Sequence, residues 1–425
     1  MISSPAFSGK RFAVLGLARS GQATVRALVE SGAAVTAWDT REEARAALPA
    51  GVALADPLAL DLTGFDGVIV SPGVPLNRHP IADHARAAHV PVMGDIELFA
   101  MARASLAAHR VVGITGTNGK STTTALIHHI LVSAHVPAQL GGNIGLPILS
   151  QPALPEGGVY VLELSSFQID LTHSLACDVA VLTNITPDHL DRYDSFADYA
   201  AAKERLFTLQ HVDQVAVIAT EDDPCRMIAS RINHRLHRVS STDVKDQSRW
   251  PALQGPHNAQ NVACAVAVAR ALGVADDQIE AALCSYPGLA HRMEIVAERG
   301  GVLFVNDSKA TNPTSTAPAL AAYPRVHWIL GGQAKTKDLD ACAPHFGHVA
   351  AAYVIGEAGP MFADLLRPIM PVSQAGTLDR AVALAADAAQ PGEVVLLSPA
   401  CASFDQFRDF EARGDAFRAA VEALL

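Results

Sequence analysis

The amino-acid sequence predicts an α/β protein built from three domains in series, each around a largely parallel sheet. Three observations predict it. Short apolar strands alternate with Ala-rich helical stretches along the whole chain. A glycine-rich turn ending in Gly119-Lys120-Ser121 joins one such strand to an apolar helix. At 425 residues the chain also exceeds one ordinary core, so two to four domains are expected.

The first domain, residues 1–95, is expected to be Rossmann-like, with strands at 12–15, 34–38 and 67–70 and a helix at 21–31. A helical stretch at 96–103 and a loosely structured Ala/His segment read as a hinge. A strand at 110–114 then opens a central domain, residues 96–287, of the P-loop mononucleotide-binding type. It continues with strands at 159–162 and 179–182 and helices at 122–132, 196–209 and 259–272, and Pro287-Gly288 ends it. A C-terminal Rossmann-like domain, residues 288–425, carries strands at 302–305, 326–330, 352–355 and 394–397. Ligands of such sheets lie outside the carboxyl ends of the strands, where the unusual residues of this chain fall.

Acidic residues outnumber basic ones 43 to 32, for a formal charge of -11. Phosphate-backbone binding rests on Lys and Arg, so non-specific binding to nucleic acid is not expected and no nucleic-acid partner is assigned. An anionic substrate must be met by local cations. The six cysteines (Cys177, Cys225, Cys264, Cys284, Cys342, Cys401) form no C-x-x-C pair, which argues for a reducing compartment and against structural zinc. They read as small buried apolar residues. No leader pattern and no membrane span are recognised, so a cytoplasmic location is expected, as a monomer.

The strand at 110–114 runs into Thr115-Gly116-Thr117-Asn118-Gly119-Lys120-Ser121-Thr122. Glycines let backbone wrap a phosphate, and amides at a helix N-terminus point at it. Lys120 suits the β/γ-phosphates and the Ser121 hydroxyl a Mg²⁺ ion. Ile114 stands where the usual pattern has its first glycine. The bland alternative is a glycine-rich strand-to-helix turn.

This loop resembles that of the Mur ligases and folylpolyglutamate synthases. Four further segments extend the resemblance over nearly the whole chain: Gly141-Gly142-Asn143-Ile144-Gly145, Glu163-Leu164-Ser165-Ser166-Phe167-Gln168, Asn306-Asp307-Ser308-Lys309-Ala310-Thr311-Asn312 and Leu397-Ser398-Pro399-Ala400-Cys401-Ala402-Ser403. The last two point within the Mur ligases to the branch that adds D-glutamate to UDP-N-acetylmuramoyl-L-alanine. The resemblance implies an ATP-dependent ligase that activates a carboxylate as an acyl phosphate, with ATP and two Mg²⁺ ions.

Glu163 ends one apolar strand, and Thr183-Asn184-Ile185-Thr186-Pro187-Asp188-His189 follows the next. A hard cation bridging phosphates wants oxygen ligands and few protein groups. Ser121 and Glu163 supply them. A lone His189 reads more often as structural; the resemblance makes it a metal ligand. Lys203 lies mid-helix after a Ser195/Asp198 cap and reads from sequence alone as a solvated lysine. The resemblance implies instead a lysine carbamylated by CO₂ that serves the metal.

The resemblance further implies Asn258 and Asn261 at adenine, although capping also accounts for Asn258. It implies Arg292 and Asp307 at the phosphates and ribose, Lys309 on developing oxyanion charge, and His291 as base or orienter of the amine. D-Glutamate is assigned to Thr311, Lys335, Ser403 and Phe410, with Lys337 a competitor for the lysine role. The N-terminal Gly16-Leu17-Ala18-Arg19-Ser20-Gly21 resembles a dinucleotide fingerprint with alanine at its middle glycine. In the ligase reading Arg19, Ser20, Asp39, Thr40, Ser71, Pro72, Gly73, Asn143, Ser165 and Gln168 take the UDP-substrate. Because groups from two domains must converge, closure of the third is expected.

Two rivals remain. A nicotinamide-dependent oxidoreductase leaves Gly119-Lys120-Ser121, Glu163, His189 and Lys309 without a purpose. A nucleotide-regulated binding protein without chemistry predicts no amino-acid-dependent phosphate release. Within the ligases, a sibling adding another amino acid, or a folylpolyglutamate synthase, is the alternative.

Overall fold

The computed structural model describes residues 1–424. They form three sheets distributed over two compact units. The first unit comprises residues 1–244 and 260–283, the second residues 245–259 and 284–425.

In the first unit, β1 (Arg11–Leu15), β2 (Ala34–Trp38), β3 (Ala53–Leu54), β4 (Gly67–Val70) and β5 (Val92–Met93) form a parallel sheet of order β3-β2-β1-β4-β5. The chain leaves β1 first to one side and later to the other. The loops after β1 and β4 therefore diverge around a crevice, the usual ligand position in an open α/β sheet.

The second sheet of this unit contains β6 (His109–Thr115), β7 (Ala138–Gly142), β8 (Gly158–Glu163), β9 (Val179–Leu182), β10 (Val215–Ala219) and β11 (Arg235–Val239). Its order is β11-β10-β9-β6-β8-β7, all parallel. Every residue of β8, β9 and β10 is buried, as a sheet covered by helices on both faces requires. Ile114 of β6 is level with Glu163 of β8, and Thr115 with Leu182 of β9. Three chemistry-bearing loops thus leave one sheet edge side by side. An apolar core runs from Phe12 and Val14 through Phe99 to Tyr160 and Leu182, so both sheets share it.

The second unit holds β12 (Glu294–Arg299), β13 (Val302–Asn306), β14 (Val326–Gly331), β15 (Val349–Ile355), β16 (Val372–Gly376) and β17 (Val394–Leu397), ordered β12-β13-β17-β14-β15-β16. Only the pairing of β12 with β13 is antiparallel. Asn306 and Ile329 both pair with Leu397, so Asp307 and Ser398 emerge together.

The expected strands are present, and the structure adds others. β3 and β5 are two residues long, and β7 is Gly-rich at its end, so none shows a long apolar run. β11, β12 and β16 are polar and partly exposed. Helices begin earlier than expected at Arg19 and Lys120, because the glycine turns feed directly into them, and at Pro256, whose ring suits a first helical position. The Ala/His segment forms a 3-10 turn, Arg103–Ser105, before β6 starts at His109.

Candidate active site

The turn between β6 and the helix Lys120–Ser133 is shaped by two glycines. Gly119 has φ 81° and Gly116 φ 146°. A Cβ on Gly119 would stand 2.3 Å from Asn261 Oδ1, and one on Gly116 2.0 Å from Thr183 Oγ1. Side chains there meet both strain and overlap. Asn118 N donates to Asn184 Oδ1 (2.8 Å), and Thr183 Oγ1 donates to Asn118 O (2.7 Å). The loop after β9 therefore braces the glycine turn. Lys120 Nζ donates to the carbonyls of Gly116 (3.0 Å) and Thr117 (2.7 Å). Ser121 is buried at the first turn of the helix.

Glu163 is only 2% exposed. Asn143 Nδ2 donates to its Oε1 (2.9 Å), while Oε2 is buried with no hydrogen-bond partner. A buried carboxylate oxygen left unpaired is costly unless something cationic meets it. The residues at this edge therefore fit a hard cation.

Lys203 overturns the solvated-helix reading: it is 1% exposed. Its Nζ donates to Gly116 O (2.8 Å) and lies 4.5 Å from the Tyr199 ring centre. Burial, and then the charge of Lys120, hold its amine well below the usual lysine range. The Tyr199 hydroxyl shares a 3.1 Å hydrogen bond with Thr117. The helix starts where expected, with Ser195 Oγ accepting from Asp198 N.

His189 is half-exposed, at φ 52°, with Nε2 3.6 Å from Asp188 and its ring 5.0 Å from Phe167. Asn261 does more than line a helix face. Its Oδ1 accepts from Thr123 Oγ1 (3.2 Å) and packs on Gly119. Asn258 Nδ2 donates to Gln254 O (3.1 Å). Ser165 and Gln168 form a reciprocal capping box at the helix Ser166–Asp170, so their side chains already have partners. Thr122 follows Ser121 on its helix.

At the crevice of the first sheet, Leu17 N donates to Asp39 Oδ2 (2.7 Å) and Arg41 binds the same carboxylate through Nε (3.1 Å) and Nη2 (3.2 Å). The Arg41 guanidinium chiefly holds Asp39 down at about 2. Arg19 Nη2 donates to Gly145 O (3.1 Å), joining this loop to the Gly-rich turn after β7. Ser20, Ser71 and Pro72 line a small cavity with buried Asp95. Leu17, Arg19 and Arg41 line an adjoining pocket of about 620 Å³. Thr40 is exposed beside it, and Gly73 continues the loop after β4.

In the second unit, Asp307 Oδ2 accepts from Ser398 Oγ (2.7 Å) and Oδ1 from Met293 N (3.2 Å). Burial nevertheless raises it to about 7. Lys309 Nζ lies 3.8 Å from the Phe410 ring centre. His291 is buried at φ 61°, its Nδ1 3.0 Å from Asn306 Nδ2, and burial lowers it. Arg292 N donates to Leu289 O (3.1 Å). Ser403 is buried, Thr311 half-buried, and Lys335 and Lys337 both exposed.

Sequence reasoning missed Arg413. It is 1% exposed and bonds Ser308 Oγ (2.9 Å), Ser308 O (2.8 Å), Cys401 O (3.0 Å) and Ala402 O (3.3 Å). It thereby ties the loops after β13 and β17 together. Its position one turn beyond Phe410 carries no signal that a guanidinium would point inward. Arg41 was also missed, although its place two residues after Asp39 was visible.

Three family models match: the Mur ligase MurD-like N-terminal domain over residues 10–94, the Mur ligase middle domain over 114–254 and the Mur ligase glutamate ligase domain over 291–401. A Sphingopyxis alaskensis protein named UDP-N-acetylmuramoylalanine–D-glutamate ligase is 68% identical over 100% of both chains. One of the same name from Novosphingobium aromaticivorans is 66% identical, over 100% of this chain and 97% of its own. Among solved structures, UDP-N-acetylmuramate-alanine ligase MurC from Thermotoga maritima aligns with a TM-score of 0.61 at 18% identity, over 98% of this chain and 100% of its own. E. coli FolC in complex with DHPP and ADP aligns at 0.57 and 19%, over 78% and 94%. Taken with the glycine turn, the buried lysine and the paired strand-end loops, these matches establish that the chain belongs to the Mur ligase family.

Proposed function

We propose that this protein is the ATP-dependent ligase of peptidoglycan precursor synthesis that joins D-glutamate to UDP-N-acetylmuramoyl-L-alanine, releasing ADP and phosphate. The observation that carries the reading is the convergence of Lys120, Lys203 and the Thr183–Asn184 brace on one glycine turn, with Glu163 ending the adjacent strand. A cytoplasmic location, where ATP is available, belongs to this proposal. No helix among the described residues is long and apolar enough to cross a membrane.

In this reading Gly116, Thr117, Asn118, Gly119, Lys120, Ser121 and Thr122 hold the triphosphate. Among the described residues no three His, Cys, Asp or Glu side chains cluster as a metal site. Ser121, Glu163, His189 and a carbamylated Lys203 would be the protein groups holding two Mg²⁺ ions, which would take their remaining ligands from phosphate oxygens and water. Bound Mg²⁺ supplies charge neutralisation. Only a neutral amine can attack CO₂, and the burial of Lys203 supports that state.

Arg19, Ser20, Asp39, Thr40, Ser71, Pro72, Gly73 and Asn143 serve the UDP-substrate, and Arg41 joins them through its grip on Asp39. Ser165 and Gln168 act there through the capped turn they build. The substrate carboxylate attacks the γ-phosphoryl group and ADP leaves. The amine of D-glutamate then attacks the acyl phosphate, loses a proton, and phosphate departs. Lys309 stabilises oxyanion charge, and His291 orients the amine or accepts its proton. Asn258, Asn261, Arg292 and Asp307 serve the nucleotide. Thr311, Ser403, Phe410 and one of Lys335 and Lys337 serve D-glutamate.

The test is phosphate release with ATP and UDP-N-acetylmuramoyl-L-alanine, comparing D-glutamate, L-glutamate and other amino acids. Release dependent on D-glutamate supports the reading. Release with another amino acid only assigns a sibling activity, and none with any amino acid refutes a ligase.

A further inference from the structure

Arg192 follows His189 by three residues, in the loop after β9. No carboxylate lies within ion-pair distance of it among the described residues. Its Nη2 donates instead to the carbonyls of Val74 (3.0 Å) and Pro72 (3.4 Å), in the loop after β4. Its guanidinium carbon sits 4.1 Å from the Phe167 ring centre. The same ring meets His189 edge-on at 5.0 Å and stacks on Tyr193 at 6.0 Å and 13°. Tyr193 donates to Asp170 Oδ2 (2.8 Å) and packs 5.4 Å from Tyr199, the ring beside Lys203.

The neighbouring backbone repeats the connection: Asn77 Nδ2 and Arg78 Nη2 both donate to Asp191 O, at 3.2 and 2.9 Å. A planar guanidinium can lie flat on a ring while its edge donates to two carbonyls, which an ammonium cannot reproduce. His189 holds a left-handed backbone conformation and a half-exposed ring. The Phe167 ring is one of the contacts that hold it.

We infer that Arg192 is a positioning residue that couples the β4 loop to His189 through Phe167, so that occupancy of the UDP-substrate crevice and affinity for the divalent cation rise together. The inference rests on the proposed roles of Ser71-Pro72-Gly73 and His189. Linkage makes the effect reciprocal: each ligand tightens the other by the same factor.

Mn²⁺ as the probe reads this directly by electron paramagnetic resonance, in the presence of a non-hydrolysable ATP analogue. Its Kd is measured with and without saturating UDP-N-acetylmuramoyl-L-alanine. The unaltered enzyme should bind Mn²⁺ about tenfold tighter with the UDP-substrate, and Arg192→Gln should bring that ratio to about one. Phe167→Leu should do the same, and the double variant should add nothing further. Arg192→Lys should fail to restore the ratio. Circular dichroism and melting curves check that each variant is folded.

A folded Arg192→Gln enzyme that keeps the ratio overturns the inference, as does an unaltered enzyme with no ratio to lose. His189→Ala separates the two levels. Unchanged Mn²⁺ affinity in that variant removes the metal role of His189 and the inference with it. Weakened affinity there, with an intact ratio in Arg192→Gln, removes the inference alone.

Discussion

The amine of Lys203 donates to the carbonyl oxygen of Gly116 across 2.8 Å, from inside a helix whose other face is exposed. Gly116 opens the phosphate turn, so a lysine 87 residues away in sequence is built into its floor. Lys120 reaches the same carbonyl at 3.0 Å. Burial, and then the charge of Lys120 beside it, favours the neutral amine at Lys203.

Lys203→Ala should therefore lower kcat by about a hundredfold or more, with partial recovery in acetate or propionate buffers that supply a carboxylate in the vacated space. Intact-mass analysis of the unaltered enzyme under CO₂ should show one added CO₂ on this residue. Full activity of Lys203→Ala without added acid would refute the carbamate.

Glu163→Gln keeps the hydrogen bond to Asn143 but removes the charge beside the unpaired Oε2. The Mg²⁺ concentration for half-maximal activity should rise about tenfold or more, while the KM for D-glutamate changes little. An unaltered Mg²⁺ titration would remove Glu163 from the metal site.

As the proposed ribose ligand, Asp307 would accept hydroxyls best when ionised, and burial raises it to about 7. The KM for ATP should fall as pH rises from about 6 to about 8, and Asp307→Asn should flatten that profile. An identical profile in the variant would assign the inflection to another group.

Asp95 is buried beneath the first glycine turn, and burial lifts it from 3.8 to about 6. A raised folded value favours the neutral acid, so its stabilising contribution is complete below 3.8 and is lost as pH rises through about 6. At neutral pH the loss approaches about 3 kcal/mol, at about 1.4 kcal/mol per unit. Urea unfolding should show Asp95→Asn gaining on the unaltered protein between about pH 4 and pH 7. A constant difference across that range would contradict the assignment.

Lys335→Ala should raise the KM for D-glutamate about tenfold or more with little effect on ATP, and Lys337→Ala should leave both KM values nearly unchanged. The reverse pattern would exchange their roles.

The alternation of strands and helices was legible because buried parallel strands are short, continuous apolar runs. β1, β8 and β17 show this plainly. The glycine turn was legible because its chemistry is local in sequence. Burial of Lys203 was not, since neighbours Ala200, Ala201 and Glu204 leave the inward face of the helix undefined. Arg192 and Arg413 escaped for a related reason. Each earns its place through carbonyls and rings brought from distant segments, and no periodicity encodes such a partner.

The six thiols have a practical consequence. Cys177, Cys225, Cys264, Cys342 and Cys401 are buried, and burial pushes each of them up, Cys177, Cys342 and Cys401 to about 12. Thiolates form the nucleophile in alkylation, so these five resist maleimide and iodoacetamide in the native fold. Cys284, partly open to solvent, becomes the preferred address for a fluorophore or spin label. The protein thus lends itself to site-selective labelling without first deleting its other cysteines.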